Sequence, residues 1–378
     1  MTLDLAKVRA DVKIRGMDLG LFRGVWPLEG WDYRRKVTIT EQSGNDLTDY
    51  QVLVELNSTN FNFAHAQTNG EDIRFADEEG NLRDYWIEKW DAANEEAKVW
   101  VKVPSIPANG ITELYMYYGN PSASSESDAS ATFIRVIDGV VGSWHFDEGS
   151  GTTAYDSSGN DNDGSLTNMD PATAWVDGKF DKALEFDGID DYVDCGNDPS
   201  LDLPGPLSIE AWIKWTIDPS DTSDPWPTIV NRNDDYGYRL AHTQNADYFE
   251  FGVIEGSEGR VQSLTSPTQG VWYHLVGTYD LSKLRIYVNG EFENDADRTG
   301  TISSNNAHVI IGDRSSLDRS FTGVIDEVRI YNRALTAEEI SDLYNNYGYT
   351  TENYPGKVLV RKYADPEPSV SVGGEETP

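Results

Sequence analysis

Short runs in which apolar and polar residues alternate recur along this chain, and this period of two constrains its fold more than any other feature. Between residues 31 and 135 the runs are YRRKVTIT (33–40), YQVLVEL (50–56), AKVWVKVP (97–104) and TELYMYYGNP (112–121). Alternation places successive side chains on opposite faces of a β-strand, and turn residues separate the runs at short spacing. We therefore predict a small β-sandwich over residues 31–135, with a Ser-rich linker at 122–133.

A second, longer series of candidate strands fills residues 136–350. Eleven runs, among them LSIEAWIKW (207–215), WYHLVGTYD (272–280) and KLRIYVNGE (283–291), are short and closely spaced. The last of these ends in an Asn-Gly turn, a strong hairpin signal. One helix is predicted at LTAEEISDLYNN, where Thr336 and Glu339 form a capping box ahead of an apolar face. The pattern predicts an all-β chain whose larger domain is a jelly-roll sandwich with one short C-terminal helix.

The two ends of the chain belong to neither domain by pattern. Residues 1–30 are predicted to form an arm that anchors or assembles on another surface, with one alternating run at 3–14 before several glycines. Residues 351–378 are predicted to hold a strand at Lys357–Tyr363 and a short SVSVG run. We expect that run to pair with the first sandwich or with the arm.

The charge balance argues against two classes of partner. Thirty basic and 65 acidic residues give a formal net charge of −35, which would repel nucleic acid and anionic membranes. Two origins fit such a surface: an acidic extracellular protein that holds divalent cations, or a protein from a high-salt source. At 1 M salt a Debye length of roughly 3 Å screens self-repulsion. No apolar run reaches the length of a membrane span, and the first residues do not resemble a secretory signal. We therefore expect no membrane insertion, and a signal that was either removed or never present.

One stretch, WHFDEGSGTTAYDSSGNDNDGSL (144–166), passes from an aromatic run into acids, amides and glycines. It offers enough oxygen atoms to ligate Ca²⁺. Its spacing departs from an EF-hand, because Gly159 stands where the first acidic ligand would be, counting back from Gly164. Two interpretations stay open: a structural cation site, and an Asx turn whose acids accept local backbone N–H groups.

Catalytic patterns are absent from the sequence. Paired carboxylates spaced E-x-D-x-x-E on one strand would serve as general acid and nucleophile, but FEFGVIE has Glu250 and Glu255 without an Asp between them. Asp326 and Glu327 are adjacent, so we expect them on opposite faces of a strand. The five histidines are scattered, and no nucleophile elbow, P-loop or CxxC occurs. The sequence therefore predicts a protein that is not an enzyme.

A long loop and its flanks, DPSDTSDPWPTIVNRNDDYGYRL (218–240), form the candidate ligand-binding region. Loops on a rigid sandwich commonly carry function, and this one combines aromatic rings with acids and amides. The candidate ligand-binding residues are Trp226, Asn231, Arg232, Asp234, Tyr236 and Tyr238. The alternative is that Trp226, which lies between two prolines, holds the loop to its own domain.

The second domain resembles the laminin-G-like, concanavalin-A-like jelly rolls of bacterial, archaeal and viral surface proteins. The resemblance is carried, in order, by WHFDEGSGTTAYDSSGNDNDG, ALEFDGIDDYVDCG, LSIEAWIKW, WYHLVGTYD, LRIYVNGE and FTGVIDEVRIYNRALTAEEI. It implies the fold but not a ligand, because members bind sugars or proteins or only space other domains.

The first domain resembles an uncharacterised β-sandwich family that precedes such jelly rolls, mostly in archaeal surface proteins. WDYRRKVTI, DIRFADEEGNLRDYWIEKWD, VWVKVP and YMYYGNP carry this match, and VRKYADPEPSVSVG looks like the usual ending of the two-domain pair. Such proteins normally have a signal or an anchor. Because this sequence shows neither, it suggests a particle assembled inside the cell, such as the virion of an archaeal virus.

The resemblance also implies metal ligands. Related jelly rolls often hold a structural Ca²⁺ between an early loop and the last strand, which corresponds here to Asp156 and Asp326, with Asp147 and Asp190 as possible additions. Asp326 lies among Ile325, Val328 and Ile330, so its carboxylate needs either a cation or backbone donors.

These observations predict a surface-displayed structural and adhesion protein. The favoured form is a capsid turret, spike or tail fibre of an archaeal, halophilic virus, located on the virion surface and homo-oligomeric. Its arm would contact other virion or surface-layer proteins, and its jelly roll would bind host glycan or glycoprotein through many weak contacts. The alternatives are a cellular archaeal adhesin or filament subunit and, less favoured, a glycan-degrading enzyme.

Overall fold

The computed structural model describes residues 26–222, 226–233, 235–243, 247–314 and 316–378. The chain divides into two compact units, one formed up to residue 132 together with 364–378, and the other formed by 133–363. The second unit is therefore inserted into the chain of the first. The predicted segment 351–378 is split between the units, because each of its two strands pairs with a different one. The run predicted at 3–14 lies outside the described residues.

The first unit is built from two antiparallel sheets. A five-stranded sheet has the order β27-β1-β7-β3-β4, and a three-stranded sheet has the order β2-β6-β5. The elements are β1 (Tyr33–Thr40), β2 (Leu47–Asn57), β3 (Arg74–Ala76), β4 (Leu82–Arg83), β5 (Tyr85–Asp91), β6 (Glu96–Ile106), β7 (Ile111–Tyr118), β27 (Ser369–Glu376) and the short helix α1 (Ala129–Thr132). Alternate residues such as Val37, Ile39, Val99 and Val101 fill the core between the sheets, as the period of two predicts.

Strand β27 closes the first unit at the edge of β1. Its backbone pairs antiparallel with β1, from Arg34 opposite Glu376 to Thr40 opposite Ser369. Side chains reinforce this pairing: Arg34 Nε lies 2.7 Å from Glu376 Oε2, and His65 Nδ1 lies 3.0 Å from a carboxylate oxygen of Glu375. The second run of the tail thus pairs with the first sandwich.

The second unit is a two-sheet jelly roll. The front sheet has the strand order β12-β13-β24-β15-β20-β21-β22, and β9 also pairs with β24. The back sheet has the strand order β10-β11-β14-β23-β16-β17-β18-β19. The strands are β9 (Val140–Trp144), β10 (Thr153–Ala154), β11 (Gly164–Thr167), β12 (Trp175–Asp177), β13 (Lys182–Asp187), β14 (Tyr192–Asp194), β15 (Leu207–Trp215), β16 (Thr228–Arg232), β17 (Tyr236–Thr243), β18 (Tyr248–Glu255), β19 (Glu258–Gln262), β20 (Trp272–Tyr279), β21 (Lys283–Val288), β22 (Glu291–Asp297), β23 (Val309–Ile311) and β24 (Thr322–Tyr331).

A small sheet and a helix cover part of the outer face of the front sheet. They are β8 (Arg135–Asp138), helix α2 (Ala337–Asn345), β25 (Tyr347–Tyr349) and β26 (Lys357–Arg361), with sheet order β25-β26-β8. Ile340 and Leu343 of α2 share one apolar cluster with Val276 and Tyr331 of the front sheet. The strand predicted at Lys357–Tyr363 is therefore part of the second unit.

Three local predictions meet the structure directly. The capping box is confirmed, because Thr336 accepts from the Glu339 backbone while Glu339 accepts from the Thr336 backbone. The Asn-Gly hairpin is confirmed as a two-residue turn in which Asn289 and Gly290 have φ of 53° and 80°, as a type I′ turn requires. One short helix was predicted, whereas the described residues hold two, because α1 forms in the predicted linker. Neither helix is long and apolar enough to cross a membrane.

The prediction that Asp326 and Glu327 lie on opposite faces is wrong. The pairing of β15 with β24 shifts register between Glu210 and Trp212, and Glu327 has a φ of 51°. This is a β-bulge, in which one extra residue is inserted into one strand. Ile325 and Val328 both point into the core between the sheets, so the two acids between them share the outer face of the front sheet.

Candidate functional site

The bulge brings carboxylates from distant parts of the chain together on the front sheet. Ligand atoms of His145, Asp147 and Glu327 lie within 4.8 Å of one another. His145 Nδ1 is 2.9 Å from Glu327 Oε1, and His145 Nε2 is 2.7 Å from the hydroxyl of Thr350. Asp147 Oδ1 accepts from the backbone N–H of Lys182 at 3.0 Å. We call His145, Asp147, Glu327 and the neighbouring Asp326, which lies outside that 4.8 Å group, the carboxylate cluster.

Asp326 is the member of the cluster with an unmet requirement. Its Oδ2 accepts from the backbone N–H groups of Lys179 at 2.8 Å and Phe180 at 3.1 Å. Its Oδ1 is buried and has no hydrogen-bond partner in the part of the chain that the structure describes, and the residue is 0% exposed. Burial raises the pKa of Asp326 well above its usual range, and the neighbouring charges of Glu327 and Asp147 raise it further. An ionised Asp326 therefore calls for a positive partner.

Asp147 also has a raised pKa, although this residue is solvent-exposed at the edge of the cluster. The protein atoms around its carboxyl group, followed by the charge of Glu327, raise its pKa to about 7. Close like charges disfavour simultaneous ionisation of both groups. Either a cation or a proton must therefore offset the surplus negative charge.

A buried ion-pair network lies next to the cluster. Arg329 donates to Glu327, to Glu210 at 3.0 Å and to the carbonyl of Gly348. Glu210 also accepts from Tyr331 at 2.6 Å and lies 3.1 Å from His274 Nε2. Burial opposes ionisation of Glu210, but the charge of Arg329 and the His274 contact outweigh it and lower the pKa of Glu210. Because Arg329 serves two acids, it does not neutralise the cluster.

The donor set of the cluster fits a hard cation such as Ca²⁺. Carboxylate oxygens are the ligands that Ca²⁺ prefers, and Asp326, Asp147 and Glu327 each provide them. His145 already uses both ring nitrogens in contacts to Glu327 and Thr350. It therefore orients Glu327 rather than offering a free ligand atom.

The four acids predicted as metal ligands fall into three places. Asp147 and Asp326 belong to the carboxylate cluster. Asp156 accepts from the backbone N–H groups of Ser143, Ser158 and Asn162 and from the Ser158 hydroxyl. This satisfied arrangement corresponds to the Asx-turn alternative. Asp190 lies apart, in an exposed loop where its carboxylate is within 4.8 Å of those of Asp187 and Asp191.

An aromatic cluster lies directly beside the carboxylates. Phe180, Trp212 and Tyr347 are buried, and Trp272, Tyr344, Tyr349 and Tyr363 pack against them while remaining partly exposed. The Tyr347 hydroxyl is 3.2 Å from His145 Nδ1. Across the strands, Trp212 pairs with Asp326 on one side and with His274 on the other. Aromatic rings and acids therefore form one continuous face, which we call the front-sheet site.

Two lysines lie over tryptophan rings of this site. Lys179 Nζ is 4.7 Å from the ring centroid of Trp212, and Lys214 Nζ is 4.8 Å from that of Trp272. Both distances are within the range of a cation–π interaction. These residues were not predicted as functional. The signal that could have found them is strand parity, because Trp212 and Lys214 alternate with the core residues Ile213 and Trp215.

The structure does not assemble the predicted ligand-binding residues into one platform. Asn231, Arg232 and Tyr238 are almost fully buried; Arg232 pairs with Asp202 at 2.9 Å, and Tyr238 donates to the carbonyl of Leu201 at 3.1 Å. Asp234 lies outside the described residues.

The other two aromatic residues of that set, Trp226 and Tyr236, lie at opposite ends of β16. Trp226 precedes the strand, and Tyr236, which is 41% exposed, follows the turn after it. The Arg319 guanidinium lies 4.7 Å from the Trp226 ring centroid. This contact agrees with the alternative in which Trp226 holds its loop to the same domain.

Two family models match the chain. Residues 187–341 match the concanavalin A-like lectin/glucanases superfamily. The chain carries a concanavalin A-like domain. Residues 69–158 match a domain of unknown function (DUF2341), so both predicted domain types are present. Trp212, Trp272 and Asp326 of the front-sheet site lie within the matched residues 187–341, whereas Asp147 and Tyr347 lie outside them.

Several solved structures are similar to a part of the chain. The binding domain of Paraclostridial Mosquitocidal Protein 1 is 19% identical, with a TM-score of 0.45 over 55% of this chain and 52% of that chain. Domain 4 of AbnA, an extracellular arabinanase from Geobacillus stearothermophilus in complex with arabinotriose, is 21% identical, with a TM-score of 0.45 over 55% of this chain and 98% of that chain. The botulinum neurotoxin serotype D binding domain is 15% identical, with a TM-score of 0.43 over 58% and 55%. The chain spans about half the length of the first of these. No curated protein matches the chain.

Proposed function

We propose that this protein is a non-enzymatic adhesion protein whose concanavalin A-like domain binds glycan through the front-sheet site. The observation that carries the proposal is the continuity of partly exposed aromatic rings with a surplus of carboxylates on one outer face. Ligand sites commonly combine an aromatic lining with a few polar groups that fix orientation. The match to a superfamily that includes lectins supports the same ligand class.

Glycan hydrolysis is the alternative chemistry for paired acids on such a face. It requires a general acid and a second carboxylate that both reach the scissile bond. Asp147 is exposed and has a raised pKa, but Glu327 is 1% exposed and already bound by His145 and Arg329. Burial of Glu327 favours binding over hydrolysis.

The test of glycan binding uses two tryptophans as a matched pair. A glycan array followed by calorimetry would compare the wild type with Trp272→Ala, in the front-sheet site, and Trp226→Ala, in the loop that precedes β16. We expect Trp272→Ala to lower affinity at least ten-fold and Trp226→Ala to leave it unchanged. The reverse result would place the glycan site in the loop around Trp226. Release of shorter sugars by the wild type would favour glycan hydrolysis over binding alone.

The proposed setting is a particle surface, where a homo-oligomer presents many copies of the site. A turret, spike or tail fibre of a halophilic archaeal virus fits the net charge of −35, and an archaeal cellular adhesin or filament subunit is the alternative. Mass spectrometry of purified virions and of washed host envelopes separates the two. Abundant protein in virions supports the viral setting, and protein only in envelopes supports the cellular one.

A structural Ca²⁺ at Asp147 and Glu327, whose ligand atoms lie within 4.8 Å of each other, belongs to the same proposal, with Asp326 beside it. Bound there, it would supply the positive charge that the buried Oδ1 of Asp326 lacks. A cation that binds only the folded protein stabilises it by about 2.7 kcal/mol at one hundred times its Kd. It would hold Lys179 and Phe180 in place through Asp326, rather than act on a substrate.

Thermal unfolding with Ca²⁺ and with EDTA tests this cation. We expect Ca²⁺ to raise the Tm of the wild type and of Asp190→Asn, but not that of Asp326→Asn. Without Ca²⁺, Asp326→Asn should be at least as stable as the wild type, because burial and the neighbouring acids oppose ionisation of the carboxyl that it replaces. A Ca²⁺ response lost only in Asp190→Asn would place the cation in the Asp187–Asp191 loop instead.

A further inference from the structure

The two lysines of the front-sheet site differ from three other lysines of the second unit. The protein has 65 acidic residues, and exposed lysines of the second unit such as Lys182, Lys283 and Lys357 pair with carboxylates. Among the described residues, no carboxylate lies within 4.0 Å of the ammonium of Lys179 or Lys214. A shortage of acids does not explain this, because acids outnumber bases two to one. Both ammonium groups instead lie over indole rings.

Strand register makes the two lysine–tryptophan pairs neighbours. Lys214 is directly opposite Trp272 in the β15–β20 pair. Trp212 is two residues before Lys214 on the same face of β15, a spacing of about 7 Å. The backbone N–H of Lys179 donates to the Asp326 carboxylate, and the Lys179 side chain extends from there to the Trp212 ring. The site therefore presents two positive charges over neighbouring indole rings, of which that of Trp272 is partly exposed.

We infer that the front-sheet site binds saccharides that carry an acidic group, a carboxylate or a sulfate. This inference rests on the proposed function and names its ligand class. The flat face of Trp272 offers apolar surface to a sugar ring, and the ammonium groups offer charge to its acidic substituent. A nucleic acid is a poor alternative, because a long polyanion would be repelled by the rest of a chain with a net charge of −35.

The structural alternative is that each lysine only covers a tryptophan with its aliphatic stem. Long charged side chains often bury their stems and leave the charge in water. In that case the charge itself contributes nothing to ligand choice, and methionine, which keeps much of the stem, would replace lysine without effect. The two explanations therefore differ in a measurable way.

The experiment measures binding of trigalacturonic acid and of neutral galactotriose to the full chain by calorimetry. The variants are Lys179→Met/Lys214→Met, the charge-preserving Lys179→Arg/Lys214→Arg, and the control Lys283→Met, whose ammonium is paired with Asp295 at 2.7 Å. Urea denaturation of each variant verifies folding. We expect the wild type to bind the acidic sugar at least ten-fold more tightly, with a preference that falls as salt rises.

The double methionine variant should lose the preference for the acidic sugar while keeping its affinity for the neutral one. The arginine variant and Lys283→Met should keep the preference. Equal affinity for the two sugars in the wild type, no binding of either sugar, or an unchanged preference in the double methionine variant would overturn the inference. Binding of other neutral glycans that Trp272→Ala abolishes would then still uphold the proposed function, so the two failures are distinguishable.

Discussion

The outer faces of the two jelly-roll sheets bury acids in opposite ways. On the back sheet, Glu250 is 0% exposed. It accepts from Arg239 at 2.7 Å and Gln262 at 3.2 Å, and Arg260 lies 3.5 Å away. Both of its oxygens are therefore satisfied by side chains on neighbouring strands. Such a network holds strands in register and satisfies the buried carboxylate.

On the front sheet the carboxylates outnumber the arginines that pair with them. Glu210 and Glu327 share Arg329, while Asp147 and Asp326 add two carboxylates, and one oxygen of Asp326 has no hydrogen-bond partner among the described residues. Burial of an acid therefore does not by itself mark a site. The two buried acids differ in their own oxygens: both oxygens of Glu250 have side-chain donors, whereas Asp326 Oδ1 has none among the described residues.

The largest expected effect tests how much each face depends on its arginine. Arg329→Met should lower the free energy of unfolding by about 3–5 kcal/mol, because it leaves two buried carboxylates without their shared cation. Arg239→Met should cost less, since Gln262 and Arg260 still serve Glu250. Urea denaturation of both variants provides the measurement. Equal losses would contradict the expectation that the front-sheet acids depend more strongly on their arginine than Glu250 does.

A buried histidine between the sheets, His242, is a second group with few partners. It is 0% exposed, and its closest polar contact among the described residues is that of Nε2 with Asp247 at 3.5 Å. Burial lowers the pKa of His242 from 6.5 to about 4, and the carboxylate of Asp247, at 3.5 Å, opposes this shift only in part. The folded state therefore resists protonation that the unfolded chain accepts.

Stability should accordingly be complete above pH 6.5 and fall as the pH drops towards 4. The loss from this group is about 3 kcal/mol at full effect. Urea denaturation at pH 7 and pH 4.5 would show a smaller difference for His242→Phe than for the wild type. His308→Phe, which alters a side chain that is 49% exposed, should behave as the wild type does. An unchanged pH dependence in His242→Phe would assign the effect to other groups.

The smallest effect is expected at Arg260, at the exposed edge of the back-sheet network. The Arg260 side chain is 49% exposed and reaches Glu250 only at 3.5 Å. Arg260→Ala should therefore cost between about 0 and 1 kcal/mol, as exposed ion pairs do, and the cost should shrink in high salt. Chemical denaturation at two salt concentrations measures it. A loss as large as that of Arg329→Met would mean that Glu250 depends on the cation at the rim.

Local signals in the sequence predicted the strands and turns well. The run predicted at Tyr33–Thr40 has those bounds as β1, and the helix start at Thr336 follows from a pattern four residues long. Asp147 and Asp326 were predicted as metal ligands from resemblance, and the structure places both in one cluster. Their partner Glu327 was missed, because strict alternation cannot reveal a bulge.

The aromatic part of the site was missed for a different reason. Trp212 and Trp272 come from strands about sixty residues apart that meet only through sheet register, and nothing local in either run indicates that meeting. The loop around Trp226 attracted attention because its polar and aromatic residues are adjacent in sequence. Strand β16 then separates its two ends, so adjacency in the chain did not become adjacency in space.

The insertion of one unit into the chain of the other has a consequence for the order of synthesis. A ribosome delivers β1 early, but β27, the strand that completes its sheet, emerges only after the whole jelly roll. The jelly roll therefore has all its strands before the first sandwich does. Until β27 arrives, β1 presents an unpaired edge, which is the kind of surface on which strands from other molecules add. Rapid folding of the inserted unit would shorten that interval and protect the nascent chain from aggregation.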